Sequence, residues 1–536
     1  MNTLHQKPGP LKGFLESMTR FGSRPALHVD GISHSYDALG RRAARIAATI
    51  KKHSLSDTPL VGLLAHRSLT AYAGVLGILG AGKGYVPLNP KLPVDRLLRI
   101  LTLAGPQVIV VGKETRKVLE FLLPKLPAGT IMICPDMEDL DALSASFPHH
   151  LFVPGNALAY SDILDSGSQT DSNPIAYLLF TSGSTGDPKG VPVRQNNLLA
   201  YVGYIADRYE VNEHDRFSQM FDMSFDLSVH DMFICWESGA CLYAMPDHTI
   251  MAPGKFIRDH EITMWFSVPT VIGVMEKFGM LKPRAFPTLR ASLFCGEPLL
   301  SRYAQAWQDA APNSFVENLY GPTETTIAIT HYRWDPAVSL NVGKAGITPI
   351  GRAFTGQHTC VVDAALCPVT TGDSGELCLS GSQVTQGYLN NPEQTRKQFV
   401  TLPGKGDELW YRTGDLVMED KDGCLQYLGR IDHQVKIRGH RVELPEVEFT
   451  LREASGSQQA AALAWPVKEG IAEGLVGFVA GSSDRDAGRI FQHCRRVLPE
   501  YMIPSRIYIL EHLPLNVHGK TDRLKLREFL KEEQRK

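Results

Sequence analysis

The stretch Tyr177-Leu-Leu-Phe-Thr-Ser-Gly-Ser-Thr-Gly-Asp-Pro-Lys-Gly190 says most about the fold of this chain. Its first four residues are apolar and predict a short buried strand. The strand runs into a loop of hydroxyls and glycines, Thr181 to Lys189, that a lysine closes. Glycines let the backbone approach an anion, hydroxyls and amides donate hydrogen bonds, and the lysine adds positive charge. The pattern therefore predicts a loop that binds polyphosphate.

This loop differs from a Walker P-loop, because Lys189 is followed by Gly190 rather than by Ser or Thr. A flexible linker is the structural alternative. Linkers rarely carry so dense a set of hydroxyls directly after a buried strand and before a Lys-Gly pair, so we favour the phosphate loop.

Outward from the loop, other short apolar runs also end in segments rich in Gly, Ser or Pro. They alternate with stretches of helical periodicity, which predicts mainly parallel sheets covered by helices. The runs lie at Leu60–Leu64, Tyr85–Leu88, Met264–Val268 and Ser292–Cys295.

The pattern changes beyond about residue 340 to the alternation of β-strands, as in Gly375 to Ser380. Further on, Glu443-Leu-Pro-Glu-Val-Glu predicts a helix start, with proline in the first turn and acids near the positive end. The predicted class is α/β. We expect a large N-terminal domain (1–431) of two helix-covered β-sheet subdomains plus a β-rich subdomain, and a small α+β C-terminal domain (432–536).

Composition limits the partners. The chain has 536 residues, enough for three or four units of ordinary size, and its 55 Lys and Arg nearly cancel its 57 Asp and Glu. Such a balance disfavours nucleic acid and anionic membranes and favours small neutral or zwitterionic ligands. Nine scattered cysteines without a CxxC pair indicate reduced thiols, and no run of about eighteen apolar residues occurs. These features predict a cytoplasmic protein.

The string TSGSTGDPKG resembles the signature of the adenylate-forming superfamily, which includes acyl-CoA synthetases, luciferases and the adenylation domains of nonribosomal peptide synthesis. Further motifs of this family follow in the expected order, and the resemblance covers essentially the whole chain. They are Asn318-Leu-Tyr-Gly-Pro-Thr-Glu324, Tyr411-Arg-Thr-Gly-Asp415, Gly429-Arg-Ile-Asp432 and Asn516-Val-His-Gly-Lys520.

The resemblance implies ATP and Mg²⁺ as cofactors, with Glu324 as the metal ligand. Asp415 would bind the ribose hydroxyls, Tyr320 would stack on adenine and Asp432 would be the hinge of a mobile C-terminal domain. Lys520, with Glu324, is the predicted catalytic pair, because a lysine at the α-phosphate stabilises charge that grows in the reaction. The predicted nucleotide site consists of Thr181, Ser182, Gly183, Ser184, Thr185, Gly186, Lys189, Asn318, Tyr320, Gly321, Thr323, Asp415, Tyr427, Arg430 and Lys520.

The segment Phe221 to His230 distinguishes between substrate classes. In amino-acid-activating members of the superfamily an aspartate here pairs with the substrate's α-ammonium, and Asp226 falls on that position. A buried carboxylate is costly unless a cation is bound, so fatty and aryl acids are disfavoured. Asp222 leaves an alternative open, since it could hold the displaced amine of a β-amino acid.

The remaining pocket positions, carried over by motif, form a largely apolar wall that favours a small aliphatic substrate. The sequence LFCGE from Leu293 resembles stand-alone prolyl-AMP ligases and D-alanine:carrier-protein ligases. We expect L-proline, which suits Phe266 and Leu319, or alanine or another small amino acid. The predicted pocket consists of Asp226, Leu227, His230, Phe266, Leu293, Cys295, Gly296, Leu319, Ile327 and Ala328.

The acceptor is expected to be a free-standing peptidyl or acyl carrier protein, because the chain contains no Gly-Gly-x-Ser site for pantetheine attachment. Two other hypotheses stay open: an acyl-CoA or aryl-CoA synthetase, and a catalytically silent relative that only binds. The presence of Lys189, Glu324, Asp415 and Lys520 argues against the silent relative.

Overall fold

The computed structural model describes residues 9–53, 58–165, 173–183, 188–250, 252–339, 343, 346–432, 434–468, 471–481, 486–515 and 521–535. Its contacts divide the chain into two compact units. The first comprises Met1–Pro90, Ile100–Phe180 and Gly190–Gly429, and the second comprises Lys91–Arg99, Thr181–Lys189 and Arg430–Lys536. The second unit thus includes two stretches, one of them the phosphate loop, that are distant from its main part in sequence. The domain boundary at Asp432 stays a prediction.

Two sheets form the framework of the first unit. Their central strands are parallel and buried on both faces, as expected for sheets between helices. One sheet has nine strands, in the spatial order Arg352–Ala353, Thr330–Arg333, Phe315–Tyr320, Ala291–Phe294, Met264–Ser267, Arg216–Gln219, Cys241–Ala244, Pro25–Val29 and Ile32–Ser35. The other has seven, in the order Leu151–Pro154, Ile131–Cys134, Val108–Val111, Leu60–Leu64, Gly84–Pro87, Ile175–Thr181 and Lys189–Arg194.

A third sheet confirms the predicted β-rich subdomain after about residue 340. Its strands are Gln357–Val362, Ser374–Gly381, Trp410–Glu419, Phe399–Val400 and Leu425–Arg430. The strand over residues 374–381 is buried on both faces rather than on alternate residues. The alternation seen in its letters therefore identified a strand correctly but did not reveal the packing of its second face.

Helices pack against the sheets, and most apolar residues of these helices lie on the faces that are buried by this packing. Helix Leu69–Gly80, for example, is buried along nearly its whole length and packs against strands Leu60–Leu64 and Gly84–Pro87. No helix within the described ranges combines the length and hydrophobicity needed to cross a membrane. The α-helices that lie wholly within the described residues, outside the C-terminal region, are Lys12–Phe21, Tyr36–His53, Leu69–Gly80, Val94–Ala104, Arg116–Leu122, Asp141–Ser146, Gln195–Tyr209, Leu227–Glu237, Gly254–Asp259, Thr270–Lys277, Ser301–Ala310 and Pro392–Gln398.

The C-terminal part of the second unit is α+β, as predicted. Helix Leu444–Ser455 begins with proline in its first turn, which confirms the predicted helix start at Glu443. The other helices here are Ala487–Val497 and Arg523–Arg535. The strands form a four-stranded sheet of His440–Glu443, Gln434–Ile437, Ile471–Ala472 and Val467–Lys468, and a three-stranded sheet of Gln459–Ala464, Leu475–Ala480 and Arg506–Leu510.

A buried acid stabilises the strand that carries the Asn318-Leu-Tyr motif. Glu317 is fully buried and accepts hydrogen bonds from Arg208 at 2.5 Å and from the Tyr209 hydroxyl at 2.6 Å. His331 lies 3.2 Å away and Arg333 3.4 Å away. Burial by itself raises the pKa of Glu317, but these hydrogen bonds and charges outweigh it and hold the pKa well below its ordinary value. The side chain is therefore ionised at neutral pH.

We expect Glu317→Gln to destabilise the protein by about 3 kcal/mol at pH 7, since it leaves the partly buried guanidinium of Arg208 without the buried counter-charge that it contacts. A lowered acid pKa contributes stability above the unfolded-state pKa, and this contribution is lost as pH falls towards the folded-state value. The difference from the unaltered protein should therefore shrink below about pH 4.5. Urea unfolding at several pH values measures it.

The matched control is Glu276→Gln, which removes an ion pair with Arg302 at 2.8 Å in which both side chains are more than 40% exposed. Such surface pairs contribute about 0–1 kcal/mol. Equal losses in the two variants would contradict the role given to Glu317.

Candidate functional site

The predicted substrate pocket lies on neighbouring strands of the nine-stranded sheet. Phe266 is paired with Leu293, and Leu293 with Glu317, so the carboxyl ends of three parallel strands meet at one edge. Cys295 and Gly296 follow directly after one of these strands. In open α/β sheets this edge is where ligands bind. Of the ten predicted pocket residues, all but Gly296 are buried.

Asp226 immediately precedes helix Leu227–Glu237 and is 7% exposed. Burial raises the pKa of this carboxyl to about 6, although hydrogen bonding from the Thr323 side chain opposes the increase. The Oδ2 atom is buried without a hydrogen-bond partner, and Asp226 forms no ion pair among the described residues. A buried carboxyl in this state is suited to receive a cation.

His230 lies one helical turn after Asp226, on the same face of the helix. Its ring centroid is 4.5 Å from that of Phe266, and its Nδ1 atom is 2.7 Å from the hydroxyl of Tyr201. Burial lowers the pKa of His230 to about 3, so the imidazole is neutral. Tyr201 orients this ring, and sequence reasoning missed it, because the apolar pattern of its helix marks it only as a core residue.

Glu324 is fully buried in the first unit, in the short 3-10 helix Thr323–Thr325. Its Oε1 atom accepts a hydrogen bond from the hydroxyl of Tyr388 at 2.7 Å, and its charge contributes to the raised pKa of Asp226. The predicted metal ligand thus lies close enough to the predicted ammonium ligand to influence its pKa. Tyr388 was not anticipated from the sequence, since it is 64 residues away from the glutamate.

The residues predicted to bind the adenosine also lie close to one another. Asn318 and Tyr320 share one face of their strand, because side chains two residues apart point the same way. The Asn318 amide donates to the backbone oxygen of Pro349 at 2.8 Å, and the Tyr320 hydroxyl donates to Asp415 at 2.5 Å. Tyr427 packs against the same core. The structure therefore brings the predicted adenine and ribose residues together.

Gly321 and Thr323, the other two predicted nucleotide-binding residues of this motif, follow directly after strand Phe315–Tyr320. Gly321 is required at its position for a steric reason. A Cβ atom added to Gly321 would lie 2.6 Å from the Cα atom of Ala328. Any larger residue would push the segment that carries Ile327 and Ala328 away from the adenosine residues.

Within the second unit, donors of the predicted phosphate loop face groups of the C-terminal segment. Ser182 donates to the backbone oxygen of Arg441 at 2.9 Å, and the Gly183 amide donates to Glu446 at 3.2 Å. Lys189 lies 3.8 Å from Glu443. Carboxylates thus occupy positions next to two donors, an amide and a lysine, that the sequence assigns to phosphate.

Thr181, predicted as the first residue of the loop, is instead the last residue of strand Ile175–Thr181. Ser184, Thr185, Gly186 and Lys520 lie outside the described residues. Arg430 forms a two-point ion pair with Asp432, with nitrogen–oxygen distances of 2.9 and 2.5 Å. The same carboxylate accepts a hydrogen bond from the backbone N–H of Gln434 at 3.0 Å. The predicted hinge residue is therefore held by residues of its own segment.

Comparison with known proteins gives consistent matches along the chain. The model of the family "AMP-binding enzyme" matches residues 14–389, and that of the "AMP-binding enzyme C-terminal domain" matches residues 446–520. An L-proline:L-prolyl-carrier protein ligase of Pseudomonas fluorescens is 33% identical over 536 residues, which cover 98% of this chain and 99% of that protein. Tyrocidine synthase 3 of Brevibacillus parabrevis is 32% identical over 95% of this chain, but this chain spans only 7% of its length.

Among solved structures, the Vibrio cholerae adenylation domain AlmE in complex with glycyl-adenosine-5'-phosphate superposes with a TM-score of 0.87 at 32% identity. The match covers 99% of this chain and 100% of AlmE. Fold, motif order and both family models therefore agree that the chain belongs to the AMP-binding, adenylate-forming enzymes.

Proposed function

We propose that this enzyme activates a small amino acid as its aminoacyl-AMP and transfers the aminoacyl group to the phosphopantetheine thiol of a separate carrier protein. The observation that carries the proposal is Asp226, a buried carboxyl without a cationic partner among the described residues. The full-length similarity to a prolyl-carrier protein ligase and to a domain crystallised with glycyl-adenylate supports an amino-acid substrate.

In the first step the substrate carboxylate attacks the α-phosphorus of ATP, an oxygen–phosphorus bond forms, and pyrophosphate leaves with the electrons of the bond that breaks. Tyr320 and Asp415 are proposed to hold the adenosine, and Asp226 the ammonium group. Glu324 fits Mg²⁺, because it is a buried oxygen donor oriented by the Tyr388 hydroxyl, and the bound ion would neutralise phosphate charge. Lys520 is proposed to stabilise the charge that grows on the α-phosphate.

In the second step the thiol sulfur attacks the carbonyl carbon, a thioester forms, and AMP leaves. The nucleophile comes from the carrier, so the enzyme needs no covalent catalytic residue. We propose that the region from residue 432 rotates about Asp432 between the two steps. The two-point pairing of Asp432 with Arg430 gives the segment a defined local geometry from which such a rotation could start.

L-proline, or another small aliphatic amino acid such as alanine, is the proposed substrate. Leu293, Leu319 and Ile327 are apolar and buried, and the aromatic ring of Phe266 lies against neutral His230. No described residue of this wall supplies a negative charge suited to a long cationic side chain. The pocket is therefore matched to a compact apolar group.

A β-amino acid is a weaker candidate. Asp222, which would have to bind the displaced amine, already has the guanidinium of Arg67 at 3.6 Å, His66 at 3.5 Å and the Asn89 amide at 3.2 Å. Its charge is partly neutralised by these neighbours. Asp226 has no comparable cation among the described residues and is the better partner for an ammonium group.

Pyrophosphate exchange with a panel of proline, alanine, glycine, β-alanine, fatty acids and aryl acids tests the proposal. We expect exchange with proline or another small α-amino acid. Exchange with fatty or aryl acids alone would indicate an acyl-CoA or aryl-CoA synthetase, and no exchange at all would indicate a silent relative. Mass measurement of a carrier protein bearing phosphopantetheine then shows whether the thiol acceptor is the carrier or free CoA.

The raised pKa of Asp226 predicts a pH profile for the amino acid. Asp226 must be ionised to bind ammonium, and its pKa is about 6 in the folded protein. We therefore expect kcat/KM for the amino acid to fall about tenfold for each pH unit below 6 and to stay level above it. KM for ATP should not follow this profile. A level profile down to pH 4.5 would show that Asp226 titrates as an ordinary carboxylate.

A further inference from the structure

Two consecutive residues beside the predicted amino-acid pocket adopt a backbone conformation that their side chains disfavour. Thr326 has φ 59° and Ile327 has φ 72°. Both residues are β-branched, and for such residues positive φ is a genuine outlier. Strain of this kind persists only where surrounding groups impose it, and it concentrates at functional sites.

The groups that impose it belong to Gln383. This residue is fully buried and lies 55 to 58 residues further along the chain. Its side-chain amide donates to the backbone oxygen of Ala328 at 2.7 Å and approaches those of Thr325 and Thr326 at 3.4 Å. Its own backbone oxygen accepts from the Thr326 hydroxyl at 2.6 Å. One glutamine thus contacts three backbone oxygens and one hydroxyl of the strained turn.

The segment around Gln383 is itself held in place, so it can act as a fixed support. The Asn197 side chain donates to the backbone oxygens of Ser382 at 2.8 Å and Val384 at 3.2 Å. The Gln357 side chain accepts a hydrogen bond from the backbone N–H of Gln383 at 3.2 Å and donates one to the Ser382 hydroxyl at 2.9 Å. Support from both sides leaves little freedom for the glutamine to move with the turn.

The strained turn matters because of what it presents. Ile327 and Ala328 form part of the predicted pocket wall, and the backbone N–H of Ile327 lies close enough to Asp226 to help lower the pKa of that carboxyl against the effect of burial. On the other side, Gly321 packs so closely against Ala328 that a Cβ atom would not fit. A relaxed Thr326–Ile327 backbone would turn the Ile327 N–H away from Asp226 and change the shape of the wall.

We propose that Gln383 is a positioning residue that sets amino-acid affinity by holding Thr326 and Ile327 in their left-handed conformation. The inference rests on the proposed function, since it concerns the same amino-acid site. Gln383 does not touch the substrate, and it acts through Ile327 and Asp226.

The test is Gln383→Met, which keeps the length and volume of the side chain and removes its hydrogen bonds. Pyrophosphate exchange should show KM for the amino acid raised about tenfold or more, because a loss near 1.4 kcal/mol corresponds to a factor of ten. KM for ATP should change less than twofold. A purely structural role would not separate the two constants.

Gln308→Met is the matched control. The Gln308 amide likewise donates to two backbone oxygens of a turn, those of Ser314 at 2.7 Å and Ala311 at 3.2 Å, and neither belongs to the predicted site. We expect both KM values of this control to stay unchanged. Should Gln383→Met fail to fold, Thr326→Val provides a second test, because it removes only the bond to the Gln383 backbone oxygen; a threefold or larger rise in KM for the amino acid is expected.

Equal KM values for the amino acid in the unaltered protein and the tested variant would overturn the inference, as would a parallel rise of both KM values. Amino-acid-dependent exchange by the unaltered protein would still be observed in those cases, so the proposed function would stand. Failure of the unaltered protein to exchange with any amino acid would overturn the proposed function and this inference with it.

Discussion

Asp226→Asn is expected to lower kcat/KM for the amino acid by a factor of about 100 to 1,000 while raising the stability of the ligand-free protein. The loss of activity follows from removing one partner of a buried charge pair, which costs about 2–5 kcal/mol. Asparagine has nearly the same shape, so the pocket wall is retained. Affinity for ATP should change little, because Tyr320 and Asp415, which we propose to hold the adenosine, are unchanged.

The gain in stability follows from the same carboxyl. Burial raises the pKa of Asp226 from 3.8 to about 6, so ionising it in the folded protein is unfavourable. An acid with a raised pKa favours the folded state at low pH, and this advantage is lost as pH rises from 3.8 through 6. At pH 7.5 the ionised carboxylate therefore lowers the free energy of unfolding by on the order of 3 kcal/mol. Asparagine carries no charge and avoids this loss.

Thermal unfolding of the ligand-free proteins at pH 7.5 and pH 4 measures this effect. Asp226→Asn should unfold at a higher temperature at pH 7.5, and the difference should be small at pH 4. Asp222→Asn serves as the comparison, because its carboxylate already has Arg67 nearby. A large loss of exchange in Asp222→Asn with activity retained in Asp226→Asn would contradict our assignment and favour a β-amino acid.

Lys520→Ala is expected to slow adenylation by a factor of about 100 to 1,000, which is the usual effect of removing one group that stabilises transition-state charge. Affinity for ATP should fall only a few-fold, since the proposed phosphate loop and adenosine residues remain. Pyrophosphate exchange measures the rate, and calorimetric titration with ATP measures the binding.

Lys525→Ala is the control, because Lys525 follows Lys520 by five positions in the sequence and is an exposed lysine whose ammonium lies 4.0 Å from Asp522. It has the same change in charge but no assigned role. Equal rates in Lys520→Ala and the unaltered protein would refute the catalytic role of Lys520.

Much of the fold could be predicted because its strands are recognisable from the apolar pattern of a few consecutive residues. Runs such as Leu60–Leu64 contain no polar side chain, and this short apolar composition is expected of a strand buried on both faces. The predicted run Ser292–Cys295 differs by one residue at each end from the observed strand Ala291–Phe294. Strand ends depend on where pairing with a neighbour stops, which local sequence does not specify.

The division into compact units shows where local patterns are insufficient. The change of composition near Asp432 suggested one cut, whereas the second unit also includes Lys91–Arg99 and Thr181–Lys189. The buried pair of Arg96 with Glu446 joins residues 350 positions apart. No periodicity or composition near either residue indicates the other.

The sequence by itself determined the reaction class, because the loop from Thr181, the residues around Glu324 and Asp415, and Lys520 each match a family motif within a few adjacent positions. Tertiary structure alone decided which side chains orient those groups: Tyr201 on His230, Tyr388 on Glu324 and Gln383 on the Thr326–Ile327 turn. The reason is physical. A ligand is held by short motifs at strand ends, but the side chains that orient those motifs come from whichever distant segment packs against them.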